Sequence, residues 1–223
     1  MTESLKAQAT SDAVADIGWR LILSALRTQA PVNSLDQALA VATAARFACG
    51  ESADQHLRID ARANEVSFAL QDEPSGQVLP VDLELARAIS DALLQLGVVT
   101  GWSGAQRSVQ TLEIAIDTMD MAKILPFWRA VMGYGDQPGA DDAVIDPLGQ
   151  GPSIWFQQMD EPRTERNRIH FDIAVPHDEA EARIAAAIAA GGHLVSDSAA
   201  RAFWILADAD GNEICVCTWQ DRD

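Results

Sequence analysis

From Val109 onward the chain runs through one order of elements twice, and this repeat constrains the fold more than any other feature of the sequence. Alternating apolar positions predict a strand over Val109 to Asp117. A helical rhythm covers Asp120 to Met132, and short strands follow at Ala143–Asp146 and Ser153–Gln158. The order then restarts with a strand over Arg168–Val175 and a helix over Asp178–Ala190. Strands near His193–Val195, Phe203–Ala207 and Glu213–Thr218 complete it. Asp210-Gly211 has the composition of a hairpin turn between the last two. Two consecutive β-α-β-β-type modules make an internal repeat, each about half of a small domain.

The preceding residues have another rhythm. A short helix is expected over residues 11–18 with Ser11 or Asp12 as its N-cap. Trp19 to Val32 fits a strand through Trp19, Leu21 and Leu23, and fits a helix through Trp19, Ile22, Leu23 and Leu26. Ser34 caps a helix with Leu35, Ala38, Leu39, Ala42 and Ala45 on one face. Strands over His56 to Arg62 and Glu65 to Gln71 form a hairpin across Ala63-Asn64. Pro80 opens a second long helix that is expected to bury Leu83, Ala86, Ile89, Leu93 and Leu96 and to stop at Gly97. Residues 98–108, with two glycines and two serines, form the candidate linker. At 223 residues the chain suits two domains better than one. The fold class expected is α+β, with domains over 1–100 and 108–223.

Charge narrows the partners. Lys and Arg number 16 against 33 Asp and Glu, a net charge of −17 that repels phosphate backbones and anionic lipid. No nucleic acid and no membrane are expected as partners. No apolar run is long enough to span a bilayer, and the first residues lack the pattern of a secretory signal. Cysteines number three, Cys49, Cys215 and Cys217. An odd count, with two of them only two residues apart, argues for free thiols and a cytoplasmic setting.

Strand alternation separates a core face from an open one. Leu112, Ile114 and Ile116 oppose Glu113, Ala115 and Asp117; Ile154 and Phe156 oppose Trp155 and Gln157. Ile169, Phe171, Ile173 and Val175 oppose His170, Asp172 and Ala174, and Ile214 and Val216 oppose Glu213, Cys215 and Cys217. The open set therefore holds Glu113, Gln157, His170 and Cys215, ligand-capable types on separate strands. Trp155 on the same face is suited to stacking on a ligand. The Asp208-Ala209-Asp210-Gly211 loop lacks calcium ligands, since Leu206 and Cys217 occupy the terminal ligand positions.

Three runs carry a resemblance. Leu112–Tyr134, Asn167–Ile173 and Asp208–Val216 together resemble a glyoxalase-like domain of the vicinal oxygen chelate (glyoxalase/bleomycin resistance) superfamily. The resemblance implies paired βαβββ modules curling a sheet around a cleft, often with a divalent metal such as Zn, Mg, Mn, Ni or Fe. It places a first-strand ligand at Glu113 and a fifth-strand ligand at His170, these two being the implied catalytic and metal residues. A fourth-strand position falls near Gln157, and Cys215 replaces the last-strand glutamate. Trp155, Gln157, Asp172 and Cys215 would contact substrate. An active protein of this kind would carry out lyase, isomerase or dioxygenase chemistry on a small oxygen-rich or aromatic molecule. The alternative is a resistance-type protein that binds such a molecule without turnover. Pairing into a homodimer is also implied.

The first half is similar to pterin-4a-carbinolamine dehydratases through Gly18-Trp19, Ser34–Ala38, Gln55-His56-Leu57 and Val81–Ala86. The similarity implies a two-layer domain, an antiparallel sheet with helices on one face, and makes Trp19–Val32 a β-hairpin. That family shuttles protons with a histidine cluster. Here Gln55-His56-Leu57 stands where the family has His-His-Pro, and Glu73 falls at or beside the later histidine. Glutamine cannot shuttle protons, so dehydration is expected to be lost, and His56 is left to bind a flat heterocycle or to serve the structure. Residual dehydration is the remaining alternative.

Overall fold

The computed structural model of the protein describes residues 6–101, 109–162, 171–175, 177–218 and 220–221. The chain divides into two compact units, Met1–Thr111 and Leu112–Asp223.

In the first unit, helix α1 (Ala7–Ala15) leads into a hairpin of β1 (Arg20–Ile22) and β2 (Ala25–Pro31). Helix α2 (Leu35–Cys49), a single 3-10 turn and the short α3 (Ala53–His56) precede a second hairpin, β3 (Leu57–Arg62) and β4 (Glu65–Leu70). Helix α4 (Pro80–Gln95) completes the unit. The sheet order is β1-β2-β4-β3, antiparallel throughout. One face packs Leu26, Leu70, Phe68, Val66 and Ala30 against Ala38, Val41 and Ala45 of α2 and Ala86, Ile89 and Leu93 of α4. Ser34 starts α2 as expected, its side chain accepting from the Gln37 N–H at 3.1 Å.

Several local expectations shift. Helix α1 begins earlier, with Lys6 rather than Ser11 or Asp12 as N-cap. Leu35 and Leu39 are 52% and 53% exposed, because the buried stripe of α2 is made of the small residues Ala38, Val41, Ala45 and Cys49. Leu96, the C-cap of α4, is likewise 50% exposed. The first part of the expected linker is core: Val98 and Thr100 are buried. The Thr100 hydroxyl donates to the Ile17 carbonyl at 2.8 Å, and the Gly101 N–H donates to the Gln29 carbonyl at 2.8 Å. That return fixes Gly18, whose φ of +78° and 2.3 Å approach of a built Cβ to the Thr100 oxygen leave no room for a side chain. Residues 102–108, including Trp102, lie outside the described residues.

The second unit holds the repeat. Its first module runs β5 (Glu113–Thr118), α5 (Met121–Met132), β6 (Gly135–Asp136), β7 (Ala143–Ile145) and β8 (Ser153–Gln158). Its second runs β9 (Phe171–Ala174), α6 (Ala180–Ala189), β10 (His193–Ser196), β11 (Phe203–Ala207) and β12 (Glu213–Cys217). The sheets have the same order, β5-β8-β7-β6 and β9-β12-β11-β10. In each, the first strand pairs in parallel with the fourth and the others pair antiparallel. The two-residue β6 had no sequence signal beyond the end of α5. The helices meet through Arg183 of α6, whose guanidinium donates to the Val131 carbonyl at 3.2 Å, beside the left-handed Gly133 that ends α5. Ile116, Ile124, Phe127, Trp128, Ile154, Phe156, Leu206 and Ile214 fill the core between sheets and helices. Among the described residues no helix is long and apolar enough to cross a membrane.

Candidate functional site

The parallel pairing of β5 with β8 sets three rows on the face turned away from the core. Glu113 lies beside Ser153, Ala115 beside Trp155, and Asp117 beside Gln157. Antiparallel β7 adds Ala143 on the other side of Trp155. The indole thus sits half-buried on a strand flanked by two methyl-bearing residues. The polar rows lie two residues away on either side, about 7 Å at the rise of a strand. In the first, the Ser153 hydroxyl donates to the Glu113 carboxylate at 3.1 Å. Glu113 and Gln157 are both exposed and share the face, but their rows are about 13 Å apart.

The corresponding face of the second module differs. Cys215 pairs with Asp172 on β9 and with Ile205 on β11, and Cys217 pairs with Ala174 and Phe203. Cys215 is 8% and Cys217 4% exposed, so the expectation that Cys215 lines an open surface is corrected. Burial, then hydrogen bonding to and the negative charge of Asp172, push the Cys215 thiol up to about 12. The thiol therefore stays protonated at neutral pH, and Asp172, exposed on the adjacent strand, is its partner rather than an isolated acid. None of the three cysteines forms a disulfide. His170 lies outside the described residues, as do Arg168, Ile169 and Trp219.

His56 belongs to the first unit and to a different constellation. It is the last residue of α3 rather than the first of a strand, and it is 8% exposed. Its Nδ1 lies 2.9 Å from Oδ1 of Asp82, a fully buried carboxylate whose other oxygen accepts the Leu79 N–H at 2.7 Å. Burial raises Asp82, partly offset by those two hydrogen bonds. On its other side Nε2 lies 3.9 Å from Asp72, which the Gln55 amide holds at 2.7 Å. Asp72 and Asp82 were not singled out from the sequence. Asp82 carried a usable signal, since it stands three residues beyond the N-cap Leu79, where an acidic side chain turns back onto the helix start.

Residues 113–217 match the family model described as a glyoxalase-like domain. The second unit carries a glyoxalase-like domain. A glyoxalase/bleomycin resistance protein/dioxygenase family enzyme from Burkholderia phytofirmans is 16% identical, over 48% of this chain and 95% of its own, with a TM-score of 0.40. The fosfomycin resistance protein FosX from Mesorhizobium loti is 9% identical, over 48% and 90%, with a TM-score of 0.39. A transcriptional coactivator/pterin dehydratase from Brucella melitensis is 18% identical, over 40% of this chain and 98% of its own, with a TM-score of 0.36. No curated protein matches the chain.

The described side chains of the glyoxalase-like domain do not fit the divalent metal that the sequence resemblance implies. The last-strand position holds a buried thiol, Cys215, rather than a carboxylate. Gln157 is neutral and lies a long way along the sheet from Glu113, whose carboxylate is engaged by Ser153 in its own row. Among the described residues no group of three or more His, Cys, Asp or Glu side chains is arranged to hold a metal ion. On the β5-β8-β7 face of the glyoxalase-like domain, Trp155 lies between the Glu113–Ser153 and Asp117–Gln157 rows.

Proposed function

We propose that the glyoxalase-like domain binds a flat, oxygen-bearing small molecule on the β5-β8-β7 face and does so without metal-dependent turnover. The observation that carries this reading is Trp155, half-buried between Ala115 and Ala143 and bracketed by the Glu113–Ser153 and Asp117–Gln157 rows. A stacked ring gains from the indole face, and its polar edges meet acceptors and donors on both sides. The raised Cys215 thiol argues against a nucleophilic thiolate there. Residues 1–100 are read with it as a dehydratase-like domain without dehydratase activity, because Gln55, which cannot shuttle protons, stands where the dehydratases have a histidine.

The test is a thermal-unfolding screen of planar aromatic compounds bearing hydroxyl, carbonyl or amide groups, followed by Trp155→Ala and Gln157→Ala. Binding is expected to raise the unfolding midpoint of the wild type and to be lost in Trp155→Ala. Metal analysis of protein purified without chelators is expected to show no stoichiometric metal. A stoichiometric metal lost in both Glu113→Ala and His170→Ala would overturn the reading in favour of a metal-dependent enzyme. Turnover of a pterin carbinolamine by the full chain, abolished by His56→Ala, would overturn the reading of the first domain.

A further inference from the structure

The sheet of the first unit packs one face on α2 and α4, and its other face carries an unusual row. Across the four strands the register reads Arg20 on β1, Arg27 on β2, Ala69 on β4 and Arg58 on β3. Like charges in one cross-strand row repel, and in a chain with 33 acidic residues against 16 basic ones a carboxylate partner for each is easily supplied. Arg20 is satisfied another way, its guanidinium turned back onto the carbonyls of Trp19 at 2.7 Å and Ala15 at 3.3 Å. Arg62, farther along β3, is closed by Asp60 at 2.8 Å. Glu65 accepts from the Ser67 hydroxyl.

Arg27 and Arg58 remain. Arg58 reaches only Glu73, at 3.9 Å, with both side chains more than half exposed. Arg27 forms no hydrogen bond or ion pair among the described residues, and its Nε is enclosed with no acceptor. Burial, and then the charge of Arg58, lower its pKa, so the two guanidinium groups feel each other across β4. The residue between them is Ala69, the smallest side chain of the row. Two cations thus flank a methyl-bearing position, one of them holding a buried N–H with nothing to donate to. A buried donor is normally satisfied, and planar guanidinium forks match the oxygens of a carboxylate or phosphate.

We propose that Arg27 and Arg58 form a binding site for a small oxyanion, the phosphate or carboxylate group of a metabolite, held over Ala69. The site lies on the first unit and is independent of the binding face proposed for the glyoxalase-like domain.

Thermal unfolding of the full chain in inorganic phosphate, in succinate and in sodium chloride at equal ionic strength tests this. The expected result is a saturable rise of the midpoint in phosphate, succinate or both, beyond that in chloride. Whichever anion acts identifies the group recognised. Arg27→Gln and Arg58→Gln should each raise the half-saturating anion concentration at least tenfold, whereas Arg62→Gln, whose residue is already paired with Asp60, should leave it unchanged. Should Arg27→Gln fail to fold, Arg58→Gln decides, since Arg58 is exposed and its removal relieves repulsion. No anion-specific shift in the wild type, or an equal shift in Arg58→Gln, overturns the proposal.

Discussion

The indole N–H of Trp128 donates to Oδ2 of Asp208 at 2.9 Å, joining α5 of the first module to the β11–β12 hairpin of the second. Both residues are fully buried. Asp208 also accepts the backbone N–H groups of Asp210 and Asn212, at 2.9 and 2.8 Å, and the Asn212 amide at 2.8 Å. A carboxylate removed from water is tolerable only when its lone pairs are filled, and four donors fill these. The loop that resembles a calcium site by composition is therefore a turn organised around its own first aspartate. Asp208→Ala leaves buried donors without an acceptor and should cost about 3 kcal/mol or more. Trp128→Phe, which removes one donor and some packing, should cost about 2 kcal/mol. Urea unfolding of both and of the double variant is expected to show coupling above about 0.5 kcal/mol.

Glycines in the second unit offer a paired test of packing. A Cβ built on Gly192 would lie 2.1 Å from Cδ2 of the buried Phe127, whereas one built on Gly135 meets nothing within 4 Å. Phe127 is held by the core and cannot swing away. Gly192→Ala should therefore destabilise by about 1–3 kcal/mol. Gly135→Ala should change stability by less than about 0.5 kcal/mol. Equal denaturant midpoints for the two variants would contradict the close approach of α6's C-terminal turn to α5.

The repeat was legible because both of its periods are strong: alternating strands and a helix with Ile124, Phe127, Trp128 and Val131 on one side. The open face was only half legible. Alternation correctly puts Glu113, Trp155 and Gln157 on one side, but it carries no register, so the Glu113–Ser153 and Asp117–Gln157 pairs and the small neighbours of Trp155 had no sequence signal. Cys215 illustrates the opposite failure. Its alternation places it off the core face, yet it is buried, because burial also depends on what lies above a strand. On the expected face of α2, Ala38 and Ala45 are buried but Leu35 and Leu39 are not, because Val41 and Cys49 complete the buried stripe. His56 was read alone, since both of its carboxylate partners lie far along the chain.

Acid stability should respond to Asp146. Burial pushes this carboxyl up, but the N–H groups of Leu148, Gly151 and Gln150 together hold it below its ordinary value. A carboxylate whose folded pKa is depressed contributes stability above its unfolded value, and the contribution is lost as pH falls through the folded one. The unfolded value is about 4. Wild type is therefore expected to lose stability more steeply than Asp146→Asn below about pH 4, with the two curves parallel at pH 6–8. Chemical unfolding across that range checks it.

Thiol chemistry gives an independent readout of burial. The Cys49 thiol is pushed up to about 11 by burial and then by Asp82, and that of Cys215 to about 12 by burial and then by Asp172. Thiolate is the reacting species, so both should resist iodoacetamide at pH 8 in the folded protein and react on unfolding. Asp172→Asn removes a charge that opposes ionisation of Cys215 and should accelerate its alkylation without affecting Cys49. Mass spectrometry of peptides containing each cysteine distinguishes the sites, and rapid labelling of Cys215 in the folded wild type would contradict its enclosure.

The His56–Asp82 pair can be separated into its structural and chemical parts by comparing two substitutions. His56→Leu leaves Asp82, fully buried, without its side-chain partner and with only the Leu79 N–H. Breaking a buried pair from one side is expected to cost about 3–5 kcal/mol. Asp82→Asn keeps an acceptor for Leu79 and a hydrogen-bonding group facing His56, and it removes a charge that burial already disfavours. It should cost less than half as much, about 1–2 kcal/mol. Urea unfolding ranks the two. A larger loss in Asp82→Asn would mean that the ionised pair, rather than satisfaction of the buried groups, holds α3 to the start of α4.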